Sequence, residues 1–383
     1  MSLSARDRAV LAAVRRDPRT SVTDLAVALD VPSSAVRESL GTLEHRGFIT
    51  GRGFLVVAPR PIVVIGGAVM DSKMQTHGSA LLRTSNPGRA AWTPGGVGRN
   101  IAETLARLGG LVELVATIGA DPPGIELVDR TRLAGVGVDH LIRTNLSTGI
   151  YCAIVDGSGE LVIGVSDLQA TDQMTVRMLA THQDLIARAE VVVLDGNVPA
   201  SVTGWVLDFV AAAQIPVVID PVSVPKAAPL ATTLGVHRPV HTLTPNLDEL
   251  GAIVGREVPD DTAAIAGAAA GLHDRGVSHV WVRRGPVGSL LSSRESDDDV
   301  QSVVELAAPA AAVVDVTGAG DSMTAGYVHA WLGRGNVVEA ARFGQALASL
   351  TVESIHTVRP DLTEALVEAR LARAEPVRPR GAR

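Results

Sequence analysis

The chain has 383 residues, of which 46% are hydrophobic and 20% charged, and its net charge is −7. At about 150 residues per domain this length favours two or more domains, and the apolar content excludes a disordered chain. The longest apolar runs fall short of a membrane span, the start Met1–Val10 has no secretory stretch, and Cys152, the single cysteine, can form neither an intrachain disulfide nor a thiolate cluster. A cytoplasmic protein without membrane contact is expected.

Only Lys73 and Lys226 are lysines, preceded by Ser72 and Pro225, so the phosphate loop G-x-x-x-x-G-K-[ST] is absent. The H-R-D, H-E-x-x-H and G-x-S-x-G motifs are absent as well. Charge is uneven along the chain. Residues 1–58 carry about +2 and the remainder about −9, a weak sign of a nucleic-acid-facing head on an acidic body.

The first segment predicts three short helices and a hairpin. Ser4 caps a helix over Ala5–Arg15 with Val10, Leu11 and Val14 on one face, and Ser21 or Thr23 caps a second with Leu25, Ala26 and Leu29. Pro32 and Ser33 open a third with Val36, Leu40 and Leu43 inward, and Phe48–Val56 reads as two strands around a tight turn. This α+β segment resembles the winged helix-turn-helix of small bacterial regulators of the Lrp and AsnC kind. The resemblance implies that the third helix enters the major groove. Its outward residues are Ser33, Ser34, Arg37, Glu38 and Thr42, and Arg52 stands in the wing, so Arg37 and Arg52 are the candidate contacts to operator DNA. A packing or dimerisation module without DNA contact is the alternative.

Ala58–Pro61, with two prolines, reads as the linker, so the expected domains are 1–58, a linker at 59–61, and 62–372, with a disordered tail over 373–383. Strands over Ile62–Ile65, Leu111–Ala116, Val191–Leu194, Val217–Ile219 and Val280–Arg283 alternate with helices over Asn100–Leu108, Ser201–Ala213, Asp260–Arg275 and Met323–Leu332. That alternation predicts a doubly wound α/β sheet. Tyr151–Val165 reads instead as a hairpin around Asp156–Gly159 and, with residues 72–92, as a small β lid. Ser293–Ser302 reads as a solvated loop.

Five segments carry chemistry. In Asp315–Gly326, Gly318-Ala319-Gly320 leads into a helix, where backbone N–H groups and the dipole can hold an anion. Asp321 then stands beside that anion as a candidate base; a Gly-rich turn with an Asp cap is the plainer alternative. Trp92–Gly109 repeats the pattern, with Gly95, Gly96 and Asn100 beside a polar ligand. Asp71 lies beyond the first strand, where a carboxylate can bind a diol. Asn246 and Glu249, three apart at a helix start, can order water on Mg²⁺ or simply cap. Val282–Gly288 follows a strand, with Arg283, Gly285 and Gly288 candidates for nucleotide phosphates.

Taken together these segments resemble the ribokinase-like, or PfkB, carbohydrate kinases over about residues 62–370. Ser85–Gly88, Thr93–Asn100, Asp71 with His77, and Asp220–Ser223 look like bacterial pseudouridine kinases within that family. The resemblance implies a kinase using ATP and Mg²⁺. Asp321 would take the proton of a ribose 5′-hydroxyl, and the N–H groups of Gly318, Ala319 and Gly320 would stabilise the transferring phosphoryl group. Asp71, Gly96 and Asn100 would hold the ribose hydroxyls. Asn246 and Glu249 would act through water on Mg²⁺, and Asp315 and Thr317 would bind a monovalent cation such as K⁺. Arg283 stands where the family usually has Thr or Ser. Base recognition would fall to the lid and its neighbours, with His77, Asp167 and Asn197 as candidates. The expected substrate is pseudouridine or a related nucleoside, and the expected assembly a homodimer. Another ribonucleoside, ribose, or a ligand-sensing transcription factor on a kinase fold remain open.

Overall fold

The structure, a computed structural model, describes residues 3–18, 20–50, 55–56, 60–294 and 300–373. The chain divides into two compact units, Met1–Arg60 and Pro61–Arg383.

The head consists of helices Ala5–Arg16, Val22–Leu29 and Ser33–His45 and the antiparallel strands Ile49–Thr50 and Leu55–Val56. Ser4 and Ser21 open the first two helices in reciprocal capping boxes with Asp7 and Asp24, which satisfy N–H groups that a helix end leaves free. The apolar stripes meet in a core of Val10, Val14, Leu25, Val36 and Leu43. Arg6 bonds Ser39 and pairs with Glu38, which ties the first helix to the third. Arg37 is exposed on the third helix. Arg52 and the turn around it lie outside the described residues, as does the tail beyond Arg373.

The second unit is built on an eight-stranded sheet. Its spatial order is Ser302–Leu306, Ser289–Ser293, Val277–Arg283, Val240–Leu243, Val217–Asp220, Val191–Asp195, Ile62–Ile65 and Val112–Val115. The last six of these run parallel. Ile62–Ile65, Val191–Asp195 and Val217–Asp220 are buried along their whole length, as strands with helices on both faces must be. Separate apolar clusters cover the two faces. Three strands of this sheet escape the sequence reading. Val240–Leu243 is short and carries His241 and Thr242. Ser289–Ser293 and Ser302–Leu306 pair antiparallel at the edge, so Ser293 and Ser302, the two ends of the expected loop, belong to strands, while the Asp-rich residues 295–299 lie outside the described residues.

A second sheet, in the order Leu161–Asp167, Gly149–Val155, Val69–Thr76, Gly88–Gly95, forms the expected lid. It contrasts with the main sheet in exposure: every residue of Leu161–Asp167 and most of Gly88–Gly95 face solvent. Aromatic side chains are few, and two anchor the helix Ala319–Arg334 to the main sheet. Tyr327 and Trp281 are fully buried with ring centroids 5.4 Å apart. Tyr327 Oη bonds Thr242 Oγ1 at 2.8 Å, and Trp281 Nε1 donates to Ser289 Oγ at 2.7 Å. Truncating such a ring costs about 3–5 kcal/mol, so the N-terminus of that helix has a fixed position.

Candidate active site

Two acids end fully buried strands at their carboxyl ends, Asp195 and Asp220, which is where open α/β sheets bind ligands. Asp195 Oδ2 accepts the N–H groups of Gly67 at 2.8 Å and Gly98 at 2.7 Å, and Oδ1 accepts Asn197 N–H at 2.9 Å. It thereby clamps the Gly66-Gly67 turn to the second Gly-rich turn. Gly96 has φ of +93°, and a Cβ there would stand 2.5 Å from Gly67 O; only glycine fits so close a backbone contact. Burial pushes the Asp195 carboxyl up, against the pull of its backbone donors.

Helix Val97–Arg107 starts at this clamp and presents Asn100. Its Nδ2 donates to Asp321 Oδ2 at 2.7 Å. That bond joins the two Gly-rich segments, 221 residues apart. Asp321 is pushed up to about 7, first by burial and then by the charge of Asp220, while Asn100 and Arg283 pull it down. A carboxyl tuned toward neutral pH suits proton transfer. Asp71 packs on Gly95, where a Cβ would stand 2.1 Å from its Oδ2. Burial pushes Asp71 up to about 6, and Arg99 opposes the shift.

Gly318 caps helix Ala319–Arg334 with φ of +79°, and a Cβ there would meet Thr357 O at 2.4 Å. Ala319 N–H is spent on Val316 O at 3.2 Å, contrary to the expectation that all three N–H groups of Gly318-Ala319-Gly320 face an anion. The N–H groups of Gly318 and Gly320 donate to no described protein acceptor.

On the other side, Asn246 and Glu249 form a full capping box. Glu249 Oε1 and Oε2 accept Asn246 Nδ2 and N at 2.9 Å each, and Asn246 Oδ1 accepts Glu249 N–H at 2.8 Å. Arg283 Nη2 adds a contact to Glu249 Oε2 at 3.2 Å and one to Asp220 Oδ1 at 3.3 Å, and its Nη1 reaches Asp220 Oδ2 at 3.0 Å. Thr324 Oγ1 and Val222 N–H complete Asp220 at 2.8 and 3.0 Å. Among the described residues no cluster of three or more His, Cys, Asp or Glu could cage a metal. With each carboxylate oxygen able to accept about two hydrogen bonds, Asp220 is saturated and Glu249 keeps one acceptor position on Oε1. The residues therefore fit a divalent ion that arrives on nucleotide phosphates and meets Glu249 through water. Asp315 Oδ1 is occupied by Thr317 N–H and Oγ1 at 2.9 and 2.6 Å, and its Oδ2 lies 3.9 Å from Lys73 Nζ.

The remaining candidates scatter. Asn197 stands beside Gly67, on a recess also lined by Asp172, Thr203 and Lys226. His77 is exposed beyond the far end of Val69–Thr76, about 20 Å from Asp71 at roughly 3.3 Å per residue; the structure does not bring them together. Asp167 pairs with Ile150 and Asp71 with Tyr151, so strand alternation puts these two carboxylates on opposite lid faces. Gly288 turns the chain between two strands, with φ of +115°, and Gly285 opens that turn.

The pfkB family carbohydrate kinase pattern matches residues 60–364. The chain belongs to this family. It is a phosphotransferase with an alcohol group as acceptor, a kinase of the nucleoside and carbohydrate class. A winged helix-turn-helix DNA-binding pattern matches residues 3–50 of the head. The pseudouridine kinase of Escherichia coli K12 is 34% identical over 82% of this chain and 97% of its own length. An uncharacterized sugar kinase, YeiI, of the same organism is 33% identical over 94% of this chain and 97% of its own. Among solved structures, a carbohydrate kinase from Agrobacterium tumefaciens is 30% identical, with a TM-score of 0.70 over 82% of this chain and 97% of that one. Arabidopsis thaliana ribokinase, solved with ribose and ATP, shares the fold at 24% identity, with a TM-score of 0.68 over 82% and 99%.

Three residues of this pfkB-family kinase receive no role in the sequence reading, although Asp220 and Arg99 lie within stretches it quotes. Asp195 and Asp220 carry one available signal: each is the acid that ends a run of three or four apolar residues. Arg99 carries none. It is 2% exposed, bonds Glu103 and Asn100 Oδ1, and so orients the amide that meets Asp321. No described helix is long and apolar enough to cross a membrane.

Proposed function

We propose that this kinase transfers the γ-phosphoryl group of ATP to the 5′-hydroxyl of a ribonucleoside, with pseudouridine as substrate and pseudouridine 5′-phosphate as product. The contact between Asn100 and Asp321 carries the reading, because it sets the sugar-binding loop against the base. Asp71, Gly96 and Asn100 hold the ribose 2′- and 3′-hydroxyls, and the carboxylate of Asp71 can accept both protons of a diol. Asp321 takes the proton of the 5′-hydroxyl as it attacks. The N–H groups of Gly318 and Gly320, aligned with the helix dipole, stabilise charge on the phosphoryl oxygens. Ala319 keeps the turn's shape rather than donating.

Mg²⁺, when bound with ATP, neutralises phosphate charge; Glu249 would hold one of its waters, with Asn246 orienting that carboxylate. Asp315 and Thr317 are the candidates for K⁺, although their own turn occupies one Asp315 oxygen. Asn197 is the candidate for base recognition next to Gly67. The identity to a pseudouridine kinase supports that nucleoside over ribose and over other ribonucleosides. Retention of Asp321 in a site tuned to about 7 supports an enzyme over a sensor built on a kinase fold.

The test is turnover with ATP and a panel of pseudouridine, uridine, adenosine and ribose, with the phosphorylated position read by ³¹P NMR. Pseudouridine is expected to show the highest kcat/KM and a 5′-phosphate. A higher kcat/KM for ribose or uridine would replace the substrate, and no turnover with any acceptor would overturn the kinase reading of the site.

A further inference from the structure

Arg283 ends the strand Val277–Arg283, and its N–H donates to Pro245 O at 2.8 Å. Its neighbour Arg284 turns out to Asp260, as a nucleotide anchor on an open loop would. Arg283 turns in. Asp220 and Glu249 hold its two terminal nitrogens with three hydrogen bonds, and burial penalises a charge that these carboxylates restore. A guanidinium has five N–H donors in a rigid fork, so this clamp fixes the group and leaves donors over.

The direction of the fork decides what those donors meet. Nη1 lies 2.7 Å from where a Cβ on Gly320 would stand. Cα–Cβ bonds tilt toward the N-terminus of a helix, and Gly320 is the second residue of Ala319–Arg334. Nη1 therefore stands against the first turn of that helix at Gly320, the turn at whose start the N–H groups of Gly318 and Gly320 open. Asp321 and Arg283 each feel the other's charge. A brace between Asp220 and Glu249 alone would not require a residue without a side chain at Gly320.

We propose that Arg283 is a catalytic residue of the phosphoryl transfer: a fixed guanidinium, clamped by Asp220 and Glu249 beneath Gly320, that bonds the oxygens of the transferring phosphoryl group. The inference rests on the kinase reading above. In the step, the bond from the 5′-oxygen to phosphorus forms while the bond from phosphorus to the β,γ-bridging oxygen breaks. That electron pair leaves with ADP, and the hydroxyl proton passes to Asp321. Arg283 exchanges no proton; it stabilises charge spread over the equatorial oxygens, which is most of what this chemistry asks of a protein. Asp220 and Glu249 are then positioning residues that act through it.

The test uses the full chain with Arg283→Ser and Arg283→Lys. The first is expected to lower kcat about 10²–10³-fold, the cost of losing one donor to a developing oxyanion, with KM for ATP changed less than about threefold. The lysine variant keeps the charge but not the fork and is expected to fall between. Arg283→Ser leaves two buried carboxylates without their cation, so a thermal melt accompanies each variant, and Arg283→Lys decides the matter if the serine variant does not fold. A second readout needs no acceptor: calorimetric affinity for ADP with and without aluminium fluoride, a mimic of the transferring group. Wild type should bind ADP tighter with the fluoride, and the variants should lose that gain while keeping ADP. A kcat within about threefold of wild type in the folded variants, or an unchanged gain from fluoride, would make Arg283 a brace only. If wild type turns over no nucleoside but Arg283 still governs the fluoride gain, the acceptor assignment fails and the role of Arg283 stands.

Discussion

In the kinase unit the functional charges are inside. Asp195 and Glu249 are buried and Arg283 and Asp321 half-buried, each is bonded to named partners, and burial is the first cause of the shifts at Asp195, Glu249 and Asp321. In the head the corresponding charges are outside. Arg37 is exposed, Glu38 is taken by Arg6, and Thr42 Oγ1 bonds back to Glu38 O at 3.0 Å. The contrast is the one that the proposed roles of the two units would require. A base must be desolvated to hold its proton near neutral pH. A residue that meets DNA phosphates must stay in water until the phosphates arrive, because its affinity comes from the counterions released there. Charge that looks alike in a sequence therefore does different work according to depth.

The hardest strike at this contrast is Asp321→Asn. The amide keeps the shape and the contact to Asn100 but cannot accept a proton at neutral pH. Loss of a general base typically removes about 10²–10⁴ in rate, so kcat should fall by that factor while ATP and nucleoside affinities hold. A variant within about tenfold of wild type would move the base elsewhere.

Depth is also what separated the legible from the illegible. Gly318-Ala319-Gly320-Asp321 and Gly95-Gly96 could be read because each signal is contiguous: a Gly-rich turn running into a helix is visible along the chain, even though which of its N–H groups stay open is not. The lid and the sheet could be read from the change between alternating and continuous apolar runs. Arg283 could be found but not understood, since Asp220, its main partner, lies 63 residues away. A reading along the chain took it for a loop anchor. His77 failed in the opposite way: six residues looked near, and an extended strand made them far. Asp195 ends the apolar run Val191–Leu194, and a single acid after such a run also suits a simple turn.

The diol site tests how far burial matters for binding. Asp71→Ala removes a half-buried acceptor worth roughly 1.5–3 kcal/mol when charged, so kcat/KM should fall about 10–100-fold, mainly through KM. Gly95→Ala should approach the same result without replacing the carboxylate, because its Cβ would stand 2.1 Å from Asp71 Oδ2 and displace it. A normal KM in Gly95→Ala would mean that Asp71 can move aside without cost and is not the diol ligand.

A smaller effect is expected from Asp220→Asn on pH dependence. Asp321 works when ionised, so kcat/KM should rise as pH passes up through about 7 and then level. Asp220 is the second cause holding that value up, and removing its charge should lower the Asp321 pKa. The freed charge of Arg283 acts in the same direction. The acid limb should move to lower pH, and at pH 6 the variant should keep a larger share of its own maximal rate than wild type keeps of its maximum. A limb that stays or moves up would show that Asp321 does not sense Asp220.

The smallest effect belongs to the exposed charge of the head. We propose that the head binds operator DNA through the third helix, and Arg37 is the exposed cation on its outer face. Arg37→Ala should leave kinase turnover unchanged, since the pfkB pattern begins only at residue 60. On DNA it should weaken binding a few-fold and flatten the dependence of log affinity on log salt by about one unit, the share of one phosphate contact. With about +2 on residues 1–58, such binding should need two heads on two half-sites, so it should depend on protein concentration as dimer formation does. Anisotropy titrations at several salt concentrations, with and without pseudouridine, measure all of this. An Arg37→Ala slope equal to wild type would remove that residue from the phosphates, and undetectable binding by wild type at low salt would leave the head as a packing module. Affinity unchanged by pseudouridine would keep DNA binding and rule out a sensor, because a ligand shifts an equilibrium only by what it gains in one state over the other.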